Sequence, residues 1–213
     1  MTNEMADLRK LERDAFRRFY EDGLFDVYIG AMTLVFFAAA AIWELFEDEL
    51  VSYVGMLAIA LIVTVPLLAF RRRLLRERLG TFKPGPRRKV RITRTRWVLL
   101  GSVILGLVVF GIAALAYGGA APEDVVTVLV PLLWFVNAVV VLGAMAYWLD
   151  VPRFYVYGFV LGLAMPLLVW PDELWGLQVE AWLVFGIAGI AIIAVGIYKL
   201  RHFLRDYPAP QHG

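Results

Sequence analysis

The sequence predicts an all-α polytopic membrane protein with six transmembrane helices, both termini cytoplasmic, and an N-terminal amphipathic interfacial helix. Three observations carry this prediction. The 213 residues are 61% hydrophobic and only 19% charged, with a mean hydropathy of +0.71, whereas soluble domains are roughly half apolar and a quarter charged. The apolar residues gather in six runs that meet or approach the ~20 residues a helix needs to cross ~30 Å of hydrocarbon. All 21 Lys and Arg residues fall on one side of a bilayer once those runs are read as crossings, as expected when cytoplasmic segments retain cations.

Residues 1–26 open the chain. Met5, Leu8, Leu11, Ala15, Phe16, Phe19 and Tyr20 recur at three-to-four-residue spacing, with Arg9, Lys10, Arg13, Arg17 and Arg18 between them. That pattern is an amphipathic helix lying in the cytoplasmic interface, either as an anchor or as a docking helix for a partner. Gly23 breaks it and Asp26 leads into the first span. The segment lacks the early apolar core of a cleavable signal peptide.

The spans are 27–46, 51–70, 97–117, 125–149, 154–170 and 179–200, with 27–200 as the transmembrane domain. Continuous apolar runs exclude a barrel, whose strands would alternate, and in lipid the backbone must satisfy itself, so the runs are helices. The fifth is the shortest and contains Pro166. Five cations lie in the N-terminal segment, twelve between spans two and three, one (Arg153) between spans four and five, and three at the C-terminal end. The intervening connections are acidic, with Glu47, Asp48 and Glu49, then Glu123 and Asp124, then Asp172, Glu173 and Glu180. Localisation to the cytoplasmic (inner) membrane, N-in and C-in, follows. Trp and Tyr residues near the span ends, such as Trp43, Trp97 and Trp170, mark the headgroup layers.

The connection 71–96 is read as a basic cytoplasmic loop. Its cations are Arg71, Arg72, Arg73, Arg76, Arg78, Lys83, Arg87, Arg88, Lys89, Arg91, Arg94 and Arg96, against one acid, Glu77. Residues 71–79 prolong the second helix, Gly80 ends it, and Lys83-Pro84-Gly85-Pro86 forces a turn. Residues 89–96 are either extended chain or the start of the third helix. At about 1 kcal/mol per cation near an anionic leaflet, membrane lipid is the natural partner. A membrane-protein partner or a homodimer is a further option. Nucleic acid is not expected, since the basic segment lacks aromatic interleaving and a fold to present the charge. The tail 201–213 is cytoplasmic, and Pro208 and Pro210 disfavour structure near its end.

Ionisable groups inside a span are costly and usually functional. None lies near the middle of a span; Asp26, Glu44, Asp150 and Glu180 sit at edges, where water is available. There is no cysteine, and both histidines follow the last span, so no cofactor and no metal site is expected. The polar exception is Asn137, at the midpoint of span four. Its amide serves as helix glue, with Thr33, Thr64 or a proline-opened carbonyl as partner, or lines a solute path. Pro66, Pro131 and Pro166 each sit in a span and free a carbonyl about one turn earlier. Gly101, Gly106 and Gly111, and the pair Gly158 and Gly162, offer close packing faces. Echoes such as Val109–Ala113 and Val184–Ala188 fit an inverted three-plus-three repeat weakly, and chance accounts for them.

The run Glu21-Asp22-Gly23-Leu24-Phe25-Asp26 after an Arg-rich helix, followed by two spans and Arg78-Leu79-Gly80 and Lys83, resembles small multi-pass bacterial and archaeal membrane proteins without assigned activity. The resemblance covers about the first hundred residues and implies no catalytic residue. The expected function is a non-enzymatic membrane component contacting anionic lipid or partner proteins through a basic cytoplasmic face. The alternative is a small transporter or channel for a neutral or apolar solute, with inverted three-helix repeats. An interfacial lipid-modifying enzyme using Glu44 or Glu180 comes third.

Overall fold

The computed structural model describes residue 20 and residues 22–46, 49–79, 86–117, 125–180 and 182–207. Among these the chain is almost entirely helical, with no strand. The helices are α1 (Leu24–Phe46), α2 (Glu49–Leu79), α3 (Pro86–Tyr117), α4 (Val130–Leu149), α5 (Arg153–Gly162), α6 (Ala164–Trp175) and α7 (Ile187–Asp206). A π-helical turn precedes α4 at Val125–Leu129, and another precedes α7 at Trp182–Gly186. Four helical stretches are long and apolar enough to cross a membrane: Val90–Val109, Thr127–Leu149, Arg153–Asp172 and Leu183–Asp206. Leu24–Val35 is a shorter apolar helix.

The segment read as a basic loop is largely helical. α2 runs unbroken through Pro66 to Leu79, and α3 begins at Pro86, where the fixed φ of proline suits the first helical position. The second helix extends over 71–79 as expected, residues 89–96 take the helical rather than the extended alternative, and within this segment 80–85 lies outside the described residues. The fifth span is two helices. The ring of Pro166 conflicts with an N-terminal neighbour one turn back, and the chain turns at Leu163 before α6 continues to Trp175, beyond the expected end at 170. The sixth span begins later than residue 179, since 176–180 is not helical. The amphipathic stretch 1–19 and the tail end 208–213 lie outside the described residues.

The chain divides into two compact units, Met1–Pro84 with Phe185–Gly213, and Gly85–Val184. Spans one, two and six thus form one unit and three, four and five the other. These units do not follow the consecutive triplets of the inverted-repeat reading.

In the first unit, α1 and α7 pack antiparallel through four glycines. A Cβ placed on Gly196 would lie 2.7 Å from the Val27 nitrogen, and one on Gly189 3.0 Å from the Gly30 carbonyl oxygen. Gly23 faces Gly196, and Gly30 faces Gly189. Gly189 and Gly196 are seven residues apart on α7, and Gly23, just before α1, is seven from Gly30, about two turns in each case, so both contacts lie on one face. At one end of this seam Leu24, Leu74, Leu75 and Phe203 form a buried core, with Leu67, Leu200, Leu204 and Tyr207 against it.

In the second unit α4 and α5 form a tight pair. Asp150 ends α4 at φ 57°, a left-handed conformation that Asp tolerates better than most residues. Val151 and Phe154 are buried in the turn. Gly158 and Gly162 let α5 approach the Ala138 and Phe135 carbonyls of α4. Gly101, Gly106 and Gly111, expected to offer packing faces, have open space where a Cβ would stand.

Candidate functional site at the cationic helix ends

The positive φ of Gly23, 75°, turns the chain into α1 and places Asp22 beside the first helical turn. The Leu24 N–H donates to Asp22 Oδ1 at 3.1 Å, satisfying one of the amides a helix start leaves open. Arg71 Nε donates to Asp22 Oδ2 at 2.7 Å, with the Asp22 side chain 0% and the Arg71 side chain 13% exposed. The Arg71 guanidinium lies 5.7 Å from the Tyr20 ring centre and 5.8 Å from that of Phe25, within cation–π range. Burial pushes the Asp22 carboxyl above the usual carboxylate range, while Arg71 and the backbone N–H groups of Phe25 and Leu24 pull it back.

Seven residues along the same face of α2, Arg78 Nη1 donates to the Leu204 carbonyl at 3.2 Å and also to that of Tyr207. Leu204 is in the last turn of α7 and Tyr207 caps it, where carbonyls have no further helical donors. Arg71, Leu74, Leu75 and Arg78 fall at i, i+3, i+4 and i+7, one helical face. Arg72 and Arg73 occupy the other face and are exposed. The helical extension thus has an inward face of two arginines and two leucines, and an outward cationic face.

The second unit repeats the division. Arg91 Nη1 lies 3.4 Å from Asp150 Oδ2, both side chains well exposed. Thr95 is buried and donates back to the Arg91 carbonyl at 3.1 Å. Arg94, Arg96 and Trp97 are exposed. Of the twelve cations expected to meet lipid or partners, Arg71, Arg78 and Arg91 therefore make contacts within the fold. Lys83 lies outside the described residues, as do the side chains of Arg76, Arg87, Arg88 and Lys89.

Within the spans, Asn137 is half-buried and its expected partners are engaged elsewhere. Thr33 donates to the Ile29 carbonyl of its own helix at 2.9 Å, and Thr64 contacts Met32 Sδ at 3.7 Å. One proline-opened carbonyl is met by tryptophan. Pro131 has no N–H to offer the Thr127 carbonyl four residues earlier, and Trp170 Nε1 donates there at 3.1 Å. Just before the break at Leu163, the Leu161 carbonyl accepts from Trp134 Nε1 at 2.8 Å. Two indoles thereby tie the π turn and α4 to the broken fifth helix. Pro66 lies inside α2 without ending it.

Sequence reasoning missed the burial of two acids. Asp26 was expected at a wetted edge; it is 0% exposed, as is Asp22, because the close α1–α7 seam covers the start of α1. The four seam glycines gave a usable signal: Gly23 and Gly30, and Gly189 and Gly196, share a seven-residue spacing. The tryptophans near span ends were read as interface markers, although an indole N–H within reach of a proline-opened carbonyl has a second role.

No family model, curated protein or solved structure matches this chain.

Proposed function

We propose that this chain is a six-crossing protein of the cytoplasmic membrane, N-in and C-in, that acts as a non-enzymatic component holding anionic lipid headgroups through the outward faces of its cationic helix ends. One observation carries the reading: each cationic helix end pairs one arginine with an aspartate of its own unit and leaves others exposed. Among the described residues Arg72, Arg94 and Arg96 have no side-chain partner, and each adjoins an apolar stretch. At about 1 kcal/mol per cation near an anionic surface, three such groups favour anionic over zwitterionic headgroups substantially. The six-crossing count adds α1 and α2 to the four helical stretches already long and apolar enough to span.

The test is lipid co-purification. The full chain is reconstituted in equal amounts of phosphatidylglycerol and phosphatidylcholine, and the lipid retained after detergent extraction is measured. Enrichment of phosphatidylglycerol is expected, decreasing with salt as exposed charges are screened, and falling in the triple variant Arg72→Gln, Arg94→Gln, Arg96→Gln. Absence of enrichment in the wild type, or the same enrichment in the variant, overturns the proposal.

A further inference from the structure

We infer that α3 carries a discrete site for a single anionic phospholipid, its phosphate on Arg94, its glycerol region against Trp97 and an acyl chain over the notch left by Gly101. This rests on the lipid reading above and goes beyond it by assigning one place. The four residues Arg94, Trp97, Gly101 and Ile104 are spaced i, i+3, i+7 and i+10 and lie within one exposed strip of the helix. Trp97 is 68% exposed and Ile104 55%, and a Cβ on Gly101 would meet nothing within 4 Å. Trp97 and Ile104 are thus ridges with a smooth helical surface between them. From Arg94 to Gly101 the helix rises about 10 Å, the depth between a phosphate and the upper acyl chain.

Charge and position choose lipid as the occupant. α3 contains no acidic residue from Pro86 to Tyr117, so nothing on this helix competes with a phosphate for Arg94. Arg91, one turn earlier, has Asp150 at 3.4 Å, and among the described residues Arg94 is the exposed cation one turn before Trp97 without a side-chain partner. Arginine binds phosphate through a planar set of donors, and tryptophan favours the layer just below the headgroups. The span Val90–Val109 is also the least buried of the four, so this strip is the most open to acyl chains.

The experiment reads Trp97 fluorescence in the full chain, in vesicles of phosphatidylcholine carrying a small fraction of phosphatidylglycerol brominated high on its acyl chains. A matched set carries the bromine on phosphatidylcholine. The quenching due to Trp97 is the difference between wild type and Trp97→Phe. We expect phosphatidylglycerol bromine to quench Trp97 about fivefold more effectively than phosphatidylcholine bromine, the ratio for one cation contact of about 1 kcal/mol. Arg94→Gln and Gly101→Leu, the latter filling open space, should each reduce that ratio to near one, while Arg72→Gln leaves it unchanged. Equal quenching by the two lipids, an unchanged ratio in Gly101→Leu, or an equal loss in Arg72→Gln overturns the site. Total phosphatidylglycerol enrichment measured on the same samples separates the failures: enrichment without a Trp97 preference removes this site alone, and no enrichment removes both. The chain has no cysteine, so Gly101→Cys introduces a single thiol; efficient disulfide dimers in the membrane would mean that a second copy covers the strip, which also overturns the site.

Discussion

Adding one methyl group at Gly196 should loosen the seam between the first and last helices. A Cβ there would stand 2.7 Å from the Val27 nitrogen and 2.8 Å from the Gly23 carbonyl oxygen, where ordinary contact begins at 3.4 Å. Both neighbours are backbone atoms, so no rotamer change relieves the overlap and the helices must separate by about 1 Å. Overpacking of this kind costs about 1–3 kcal/mol, and separation also loosens the cover over Asp22 and Asp26. Gly106→Ala is the matched control, because a Cβ at Gly106 meets nothing within 4 Å. There the helix gains alanine's greater propensity, worth up to about 1 kcal/mol in an exposed helix. The seven tryptophans supply an intrinsic fluorescence signal for thermal unfolding in detergent. Gly196→Ala should lower the midpoint and Gly106→Ala hold or raise it. Equal shifts for the two substitutions would refute the argument that backbone contact across α1 and α7 decides the sign.

Breaking the Asp22–Arg71 pair from one side, with Arg71→Ala, should destabilise by about 3–5 kcal/mol because it strands a buried carboxylate; Asp22→Asn with Arg71→Met should recover most of that loss in the same unfolding assay. Burial raises the Asp22 pKa above its ordinary value of 3.8, so the associated stability is full below that value and is lost as pH rises through the folded value. Wild type should therefore gain stability relative to Asp22→Asn on going from about pH 7 to about pH 4, and a relative loss would contradict the sign. Trp134→Phe, which removes the indole donor to the Leu161 carbonyl, should cost about 1 kcal/mol and speed amide exchange around Leu163, whereas Trp175→Phe at an exposed position should do neither. Arg91→Ala should cost less than about 1 kcal/mol, since its pair with Asp150 is exposed; a loss as large as that of Arg71→Ala would show that exposure does not separate the two pairs.

Helix class was legible because an apolar run in lipid has few alternatives, and each of the six runs is helical over most of its length, the fifth with one break at Leu163. The fifth was read as one helix since Pro166 announces a conflict with the preceding turn but not whether the chain bends or breaks. The helical start of α3 is open in the sequence because Lys89 to Arg96 has no strong periodicity of its own; in the fold Thr95 is buried and Arg91 reaches Asp150. The candidate site was legible as a count of cations and hidden as an arrangement. Which arginines are paired depends on acids far away in sequence: Asp22 lies 49 residues from Arg71, and Asp150 lies 59 from Arg91. Periodicity along α2 alone could have placed Arg71 and Arg78 on one face with Leu74 and Leu75. For Asn137 the amide was legible but not its partner, and Thr33 and Thr64 each donate within the first unit.

The seam between α1 and α7 also imposes an order on synthesis. The unit Gly85–Val184 is one continuous stretch and can pack as it leaves the ribosome, whereas the other joins the start of the chain to its end. After Phe46 completes α1, about 140 residues must follow before Ile187 begins its partner. At about 5–20 residues per second, the glycine face of α1 waits roughly 7 to 28 seconds for its match. During that interval Gly23 and Gly30 present bare backbone to whatever surrounds them, so α1, made well before α7, meets its close neighbour late.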